Sequence, residues 1–228
     1  METIAERLKS VQITIEQSTL DAHRPLNSVK LLAVSKTKPV SDIVQAYEAG
    51  QRLFGENYVQ EGVEKIQMLQ SLDDIEWYFI GPIQSNKTRL VAENFDWVQS
   101  VDRLKIAKRL NDQTRLHKTL NVCIQVNIDD DKNKAGISVN ELHDFAKAIS
   151  ELPNLRLRGL MTIPKANQSQ AEQTASFNHM AALFENLKKQ YSSVDTLSMG
   201  MSGDVQNAIN NASTMVRVGS AIFGLRNK

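Results

Sequence analysis

Val29-Lys30-Leu31-Leu32-Ala33-Val34-Ser35-Lys36 is followed, after a short Pro-containing link, by Ser41-Asp42-Ile43-Val44-Gln45-Ala46-Tyr47-Glu48-Ala49-Gly50. The first stretch is an apolar run of strand length. The second is amphipathic over 42–49, with Ser41 as its expected N-cap and Gly50 as its stop. This strand-then-helix unit decides the fold because it recurs. Further runs of strand length lie at 52–56, 77–81, 97–101, 121–128, 155–163, 196–201 and 214–223, which makes eight. Helical stretches separate them: 102–110 places Leu104, Ile106, Ala107 and Leu110 on one face, and 176–191 is another. Every strand but the last is followed by a helical stretch.

An unbroken strand–helix alternation makes a parallel sheet, and eight units in about 200 residues fit a closed (β/α)8 TIM barrel better than an open doubly wound sheet. Residues 3–20 carry Ile4, Leu8, Val11, Ile15 and Leu20 at helical spacing, so an additional N-terminal helix precedes the barrel. Residues 164–173 read as a polar loop, and no linker or composition step marks a second domain.

The 228 residues carry 27 Lys+Arg against 26 Asp+Glu, a balance that argues against the broad basic field of a nucleic-acid binder. A single cysteine excludes an intrachain disulfide, and Cys123, between Val122 and Ile124, reads as a small buried hydrophobe. The acidic N-terminal stretch lacks the apolar core of a secretory signal, and no run of 18 apolar residues occurs, so the expected location is cytoplasmic, without a membrane partner. His23, His117, His143 and His179 are scattered without metal-site spacing, and no metal is expected. Asp129-Asp130-Asp131 lacks the pattern of a calcium loop.

Active sites of such barrels form at the C-terminal ends of the strands, so the residues where each apolar run stops carry the chemistry. Lys36 follows Leu32 and Val34 on the same side of the first strand, where an apolar rim would lower its pKa and favour a Schiff-base lysine. A surface lysine at a strand end is the plain alternative, and Lys38 is a rival on the same face. The seventh strand runs into Gly200-Met201-Ser202-Gly203-Asp204, and the eighth supplies Val218-Gly219-Ser220. These are the two places where phosphate sites of such barrels form, although Gly and Ser are also ordinary turn residues. Arg217, amid Met215, Val216 and Val218, is a permanent cation in a buried strand and needs an acceptor, either an internal carboxylate or carbonyl or a ligand. A lysine amine, a phosphate cradle and a buried arginine at one barrel mouth suit pyridoxal 5′-phosphate (PLP). A Schiff-base aldolase of phosphosugars would need the first two features only.

Six stretches now stand out in order: Leu32-Ala33-Val34-Ser35-Lys36-Thr37-Lys38-Pro39, Phe54-Gly55-Glu56-Asn57-Tyr58-Val59-Gln60-Glu61, Phe79-Ile80-Gly81-Pro82-Ile83-Gln84-Ser85-Asn86-Lys87, Arg158-Gly159-Leu160-Met161, Leu197-Ser198-Met199-Gly200-Met201-Ser202 and Val216-Arg217-Val218-Gly219-Ser220-Ala221-Ile222-Phe223-Gly224. Together they resemble the PLP homeostasis protein family, the YggS/PROSC group, over nearly the whole chain. The resemblance implies one barrel domain over 1–228, similar to the N-terminal domain of alanine racemase, with PLP held as a Schiff base on Lys36. It further implies that Arg217 faces the pyridine nitrogen, that Ser202, Gly219 and Ser220 hold the phosphate, and that Asn57 lies near the ring.

A permanent cation against the ring nitrogen disfavours its protonation and weakens the ring as an electron sink. The resemblance therefore implies a PLP-binding monomer without catalytic residues, which buffers PLP or supplies it to apo PLP-dependent enzymes. A PLP-dependent racemase or lyase of low activity is the alternative; related racemases draw a second base partly from a C-terminal β domain, and the expectation is that this chain has none. Two positions depart from the family pattern: Tyr78 stands where His usually follows Trp, and Ala212 where Gly usually precedes Ser-Thr.

Overall fold

Strands and helices alternate along the computed structural model, which describes residues 2–224. In chain order these are α1 (Ile4–Asp21), β1 (Lys30–Val34), α2 (Val40–Glu48), β2 (Leu53–Glu56), α3 (Val59–Met68), β3 (Glu76–Phe79), α4 (Thr88–Asn94), β4 (Trp97–Val101) and α5 (Leu104–Gln113). They continue with β5 (Leu120–Gln125), α6 (Leu142–Ser150), β6 (Leu155–Met161), α7 (Gln170–Gln190), β7 (Thr196–Met201), α8 (Val205–Asn210), β8 (Met215–Val218) and α9 (Ser220–Phe223).

The eight strands form a closed parallel barrel in sequence order. Closure comes from β1 against β8, with Leu31 opposite Val216, Leu32 opposite Arg217 and Ala33 opposite Val218. Alternation along each strand splits the apolar residues into two cores. Leu32, Tyr78, Ile80, Trp97, Cys123, Met161 and Met215 form one cluster, with Val34 and Leu53 against it. Ala33, Phe54, Phe79, Val98, Val122 and Leu160 belong to a second and larger cluster, shared with the helices. Leu32 and Val34 thus point one way and Ala33 the other, as the alternation of the first run predicts. Cys123 is fully buried, and burial pushes its thiol pKa up, so it stays a protonated core residue.

The N-terminal helix is present as expected. Thr3 caps α1 in a reciprocal box with Glu6, and the helix packs against α2, α8 and α9. Among the described residues no helix is long and apolar enough to cross a membrane.

Several strands end earlier than the sequence reading, among them β1, which stops at Val34 and leaves Lys36 in a turn rather than in the strand, and four further boundaries differ for identifiable reasons. The eighth run, read as one strand over 214–223, stops at Val218, and α9 follows with Ile222 and Phe223 buried. The last strand therefore also leads into a helix; a short apolar run does not by itself separate strand from helical turn. Part of the expected loop 164–173 belongs to α7, which starts at Gln170. Its start is fixed by a capping box in which the Glu172 N–H donates to Ser169 and the Ser169 N–H donates to the Glu172 carboxylate at 2.8 Å. Helix α2 begins at Val40, so Ser41 lies inside its first turn, and Pro39 takes the N-cap position without a side-chain bond. Strand β5 ends at Gln125, three residues before the expected end, and Val126 makes only an isolated bridge to Ile137.

Candidate functional site

The C-terminal ends of β1, β2, β7 and β8 surround a cavity of about 830 Å³. All six residues singled out above line it: Lys36 in the turn after β1, Asn57 after β2, Ser202 after β7, Arg217 within β8, and Gly219 and Ser220 after β8. Val34, Ile80, Ile163 and Met201 give the same cavity its apolar wall. Lys36 is half-buried, as is the rival Lys38, which shares the cavity with it.

Arg217 is 4% exposed. Its Nη1 donates to Ser198 Oγ at 2.8 Å and its Nη2 to the Thr162 carbonyl at 2.8 Å. Ser198 is held in turn, because its hydroxyl donates to Gln99 Oε1 at 2.7 Å. An internal carbonyl partner therefore exists, as the plain reading of a buried arginine requires. Both acceptors are neutral, however, and burial pushes the guanidinium pKa down to about 10 despite the pull of Asp204. A cation this desolvated retains a strong demand for an electron-rich group in the cavity it lines.

The two phosphate-type loops converge. Ser202 Oγ and Ser220 Oγ lie 3.5 Å apart, one from each loop. At Gly219 an added Cβ would stand 3.0 Å from the Val34 carbonyl, so the glycine lets the end of β8 lie close to β1. Asp204 shapes the β7 loop: it accepts from the Met201 N–H and, at 3.1 Å, from Gln173 Nε2. Burial raises the Asp204 carboxyl above the usual range, with the Met201 bond and Arg217 opposing it. On the other side, Asn57 Oδ1 is buried with no hydrogen-bond partner among the described residues, an acceptor left for something in the cavity.

A second polar cluster lies behind Lys36, and its residues had no assigned role in the sequence. Lys65 Nζ, on α3, donates to Glu56 Oε1 at 2.8 Å, to Glu61 Oε1 at 2.6 Å and to the Ser35 carbonyl at 2.7 Å. Ser35 Oγ donates to Glu56 Oε1 at 2.6 Å, and the Thr37 N–H donates to Glu61 Oε1 at 2.6 Å. Burial raises the Glu56 carboxyl pKa, while Lys65 and Ser35 pull it back. The available signal was a Glu closing an apolar strand and a Lys on the buried face of α3; Ser198, Gln99 and Thr162 became visible only with the strand register.

The two departures from the family pattern have structural readings. Ala212 has φ +70°, the left-handed region that suits Gly. Tyr78 stacks on Trp97 at 5.0 Å and donates at 3.0 Å to Oε2 of Glu76, the first residue of β3.

The family model described as alanine racemase, N-terminal domain, matches residues 15–227. A pyridoxal phosphate homeostasis protein of Pasteurella multocida is 57% identical over 229 residues, covering 98% of each chain. The chain belongs to the pyridoxal phosphate homeostasis protein family. Another relative of that name, from Escherichia coli, is 52% identical over 99% of this chain and 98% of its own. In three dimensions this member of the family resembles PipY of Synechococcus elongatus, solved with PLP bound, at a TM-score of 0.84 and 38% identity over 97% of this chain and 100% of that one. The barrel and family expected from the sequence are thus both present.

Proposed function

We propose that this chain is a PLP-binding protein of intracellular vitamin B6 homeostasis, which holds PLP as a Schiff base on Lys36 and buffers or supplies it. The observation that carries the reading is Arg217, a buried cation whose acceptors among the described residues are the neutral Ser198 hydroxyl and Thr162 carbonyl, lining one cavity with Lys36 and the paired Ser202 and Ser220 hydroxyls. The residues fit the cofactor: the serines and Gly219 suit its phosphate, Arg217 its ring nitrogen, and the orphaned Asn57 acceptor its ring substituents. When bound, PLP supplies an aldehyde to which the Lys36 amine adds with loss of one water.

Arg217 also favours a carrier over an enzyme. With PLP bound, its positive charge would disfavour protonation of the ring nitrogen and leave carbanion chemistry poorly supported, which supports the reading of a cytoplasmic, monomeric single-barrel protein that stores PLP and donates it to apo PLP-dependent enzymes. Loaded protein mixed with an apo PLP-dependent enzyme is expected to restore that enzyme's activity while turning over none of a panel of amino acids itself. Steady turnover of an amino acid would favour a racemase or lyase instead. Lys36→Ala should abolish the borohydride-reducible adduct; an adduct that persists at one site would move the anchor to Lys38.

A further inference from the structure

Lys36 occupies the second position of the turn Ser35-Lys36-Thr37-Lys38, closed by the Lys38 N–H donating to the Ser35 carbonyl at 3.1 Å. Thr37, the third residue of that turn, has φ +61°. Positive φ at this position is the mark of a type II turn and normally calls for Gly or Asn; a β-branched residue there is strained and persists only where its surroundings over-determine it. The surroundings do so here. The Ser35 carbonyl takes a hydrogen bond from buried Lys65 at 2.7 Å, and the Thr37 N–H gives one to Glu61 at 2.6 Å, so the peptide groups on both sides of Lys36 are tied to one helix, α3. Lys65 joins the two ties by contacting Glu61 directly, and Glu56 fixes both Lys65 and the Ser35 side chain from β2.

We propose that Glu61 and Lys65 are positioning residues for Lys36: they hold its turn in the strained conformation that presents the lysine to the cavity before any ligand arrives. The inference rests on the reading of Lys36 as the PLP anchor. Glu61 and Lys65 touch neither the cofactor nor its reacting carbon in this account; they act through the backbone of residues 35 and 37. A turn released from its ties would relax toward conformations that Thr37 prefers, and binding would then have to restore the ordered turn at the expense of affinity.

Glu61 is the residue to test, because its side chain is 28% exposed and its loss leaves the Lys65–Glu56 pair in place. Glu61→Ala removes the acceptor, whereas Glu61→Gln keeps an oxygen that can accept from the Thr37 N–H without the charge. Two readouts apply. In the PLP-free protein, amide exchange at Thr37 should be about tenfold faster in Glu61→Ala and near wild type in Glu61→Gln, with the thermal midpoints of all three close together. On titration with PLP followed by borohydride and peptide mapping, half-saturation of Lys36 should rise about tenfold in Glu61→Ala and return to near the wild-type value in Glu61→Gln. Equal half-saturation in all three chains overturns this inference alone, and so does a Glu61→Gln chain as impaired as Glu61→Ala. A wild-type chain that takes no PLP on Lys36 overturns the anchor reading first, and this inference with it.

Discussion

Replacing Lys65 by Met removes the cation from a nearly closed ion pair. The Lys65 side chain is 6% exposed and that of Glu56 0%, at 2.8 Å. After the change Glu56 keeps one donor among the described residues, the Ser35 hydroxyl, and Glu56 Oε2 already lacks a partner among them. Stranding a buried charge in this way costs about 3–5 kcal/mol, which in a protein of this size lowers Tm by roughly 6–20 °C. The pH dependence identifies the cause. Burial already raises the Glu56 pKa in the folded state, and losing Lys65, whose charge pulls it down, raises it further. A carboxyl with a raised folded pKa contributes its full stability below the unfolded value of about 4.3 and loses it as pH rises through the folded value. The Lys65→Met deficit should therefore be smallest near pH 4.5 and grow toward pH 8. Urea unfolding followed by circular dichroism across that range measures it, and Glu56→Met on top of Lys65→Met should recover most of the loss. A deficit under about 1 kcal/mol, or one flat with pH, would refute the account of Lys65 as counter-charge to Glu56.

Two other substitutions test the site and the frame around it. Ala212→Gly relieves a left-handed alanine and should raise stability by roughly 0.5–1 kcal/mol, read as a higher urea midpoint at unchanged slope. Arg217→Met keeps the bulk of the side chain but removes a charged donor, worth about 1.5–3 kcal/mol, so the PLP concentration for half-saturation should rise roughly 10- to 100-fold while Lys36 still reacts at saturating PLP.

The barrel was legible because its signal repeats. Each apolar run of strand length but the last is followed by an amphipathic stretch, and no single boundary error disturbs that alternation. Errors fell where one local cue was overruled by another. The run over 214–223 is mostly apolar on both sides of Gly219-Ser220, so that pair alone marks the change from β8 to α9 in its composition. The start of α7 was written in Ser169-Gln170-Ala171-Glu172, a capping box inside a stretch whose polarity reads as loop.

The cavity residues were readable as strand-end residues, since the closed barrel brings such ends together wherever they lie in the chain. Their supports were not. Whether Ser198 or Gln99 meets Arg217 depends on register between strands far apart in sequence, and register is a property of the closed sheet. The Lys65 cluster sits between these cases, since the 61/65 spacing suggests a surface pair on one helix. Only the packing of α3 against the turn after β1 turns that pair inward onto the backbone around Lys36.

The visible spectrum of the purified protein, recorded with added PLP before and after borohydride reduction and followed by peptide mass mapping, tests the central claim most directly. The account predicts a Schiff-base band that borohydride removes and a pyridoxyl group on the peptide containing Lys36. No band even with added PLP, or a pyridoxyl group found only on other peptides, would contradict it.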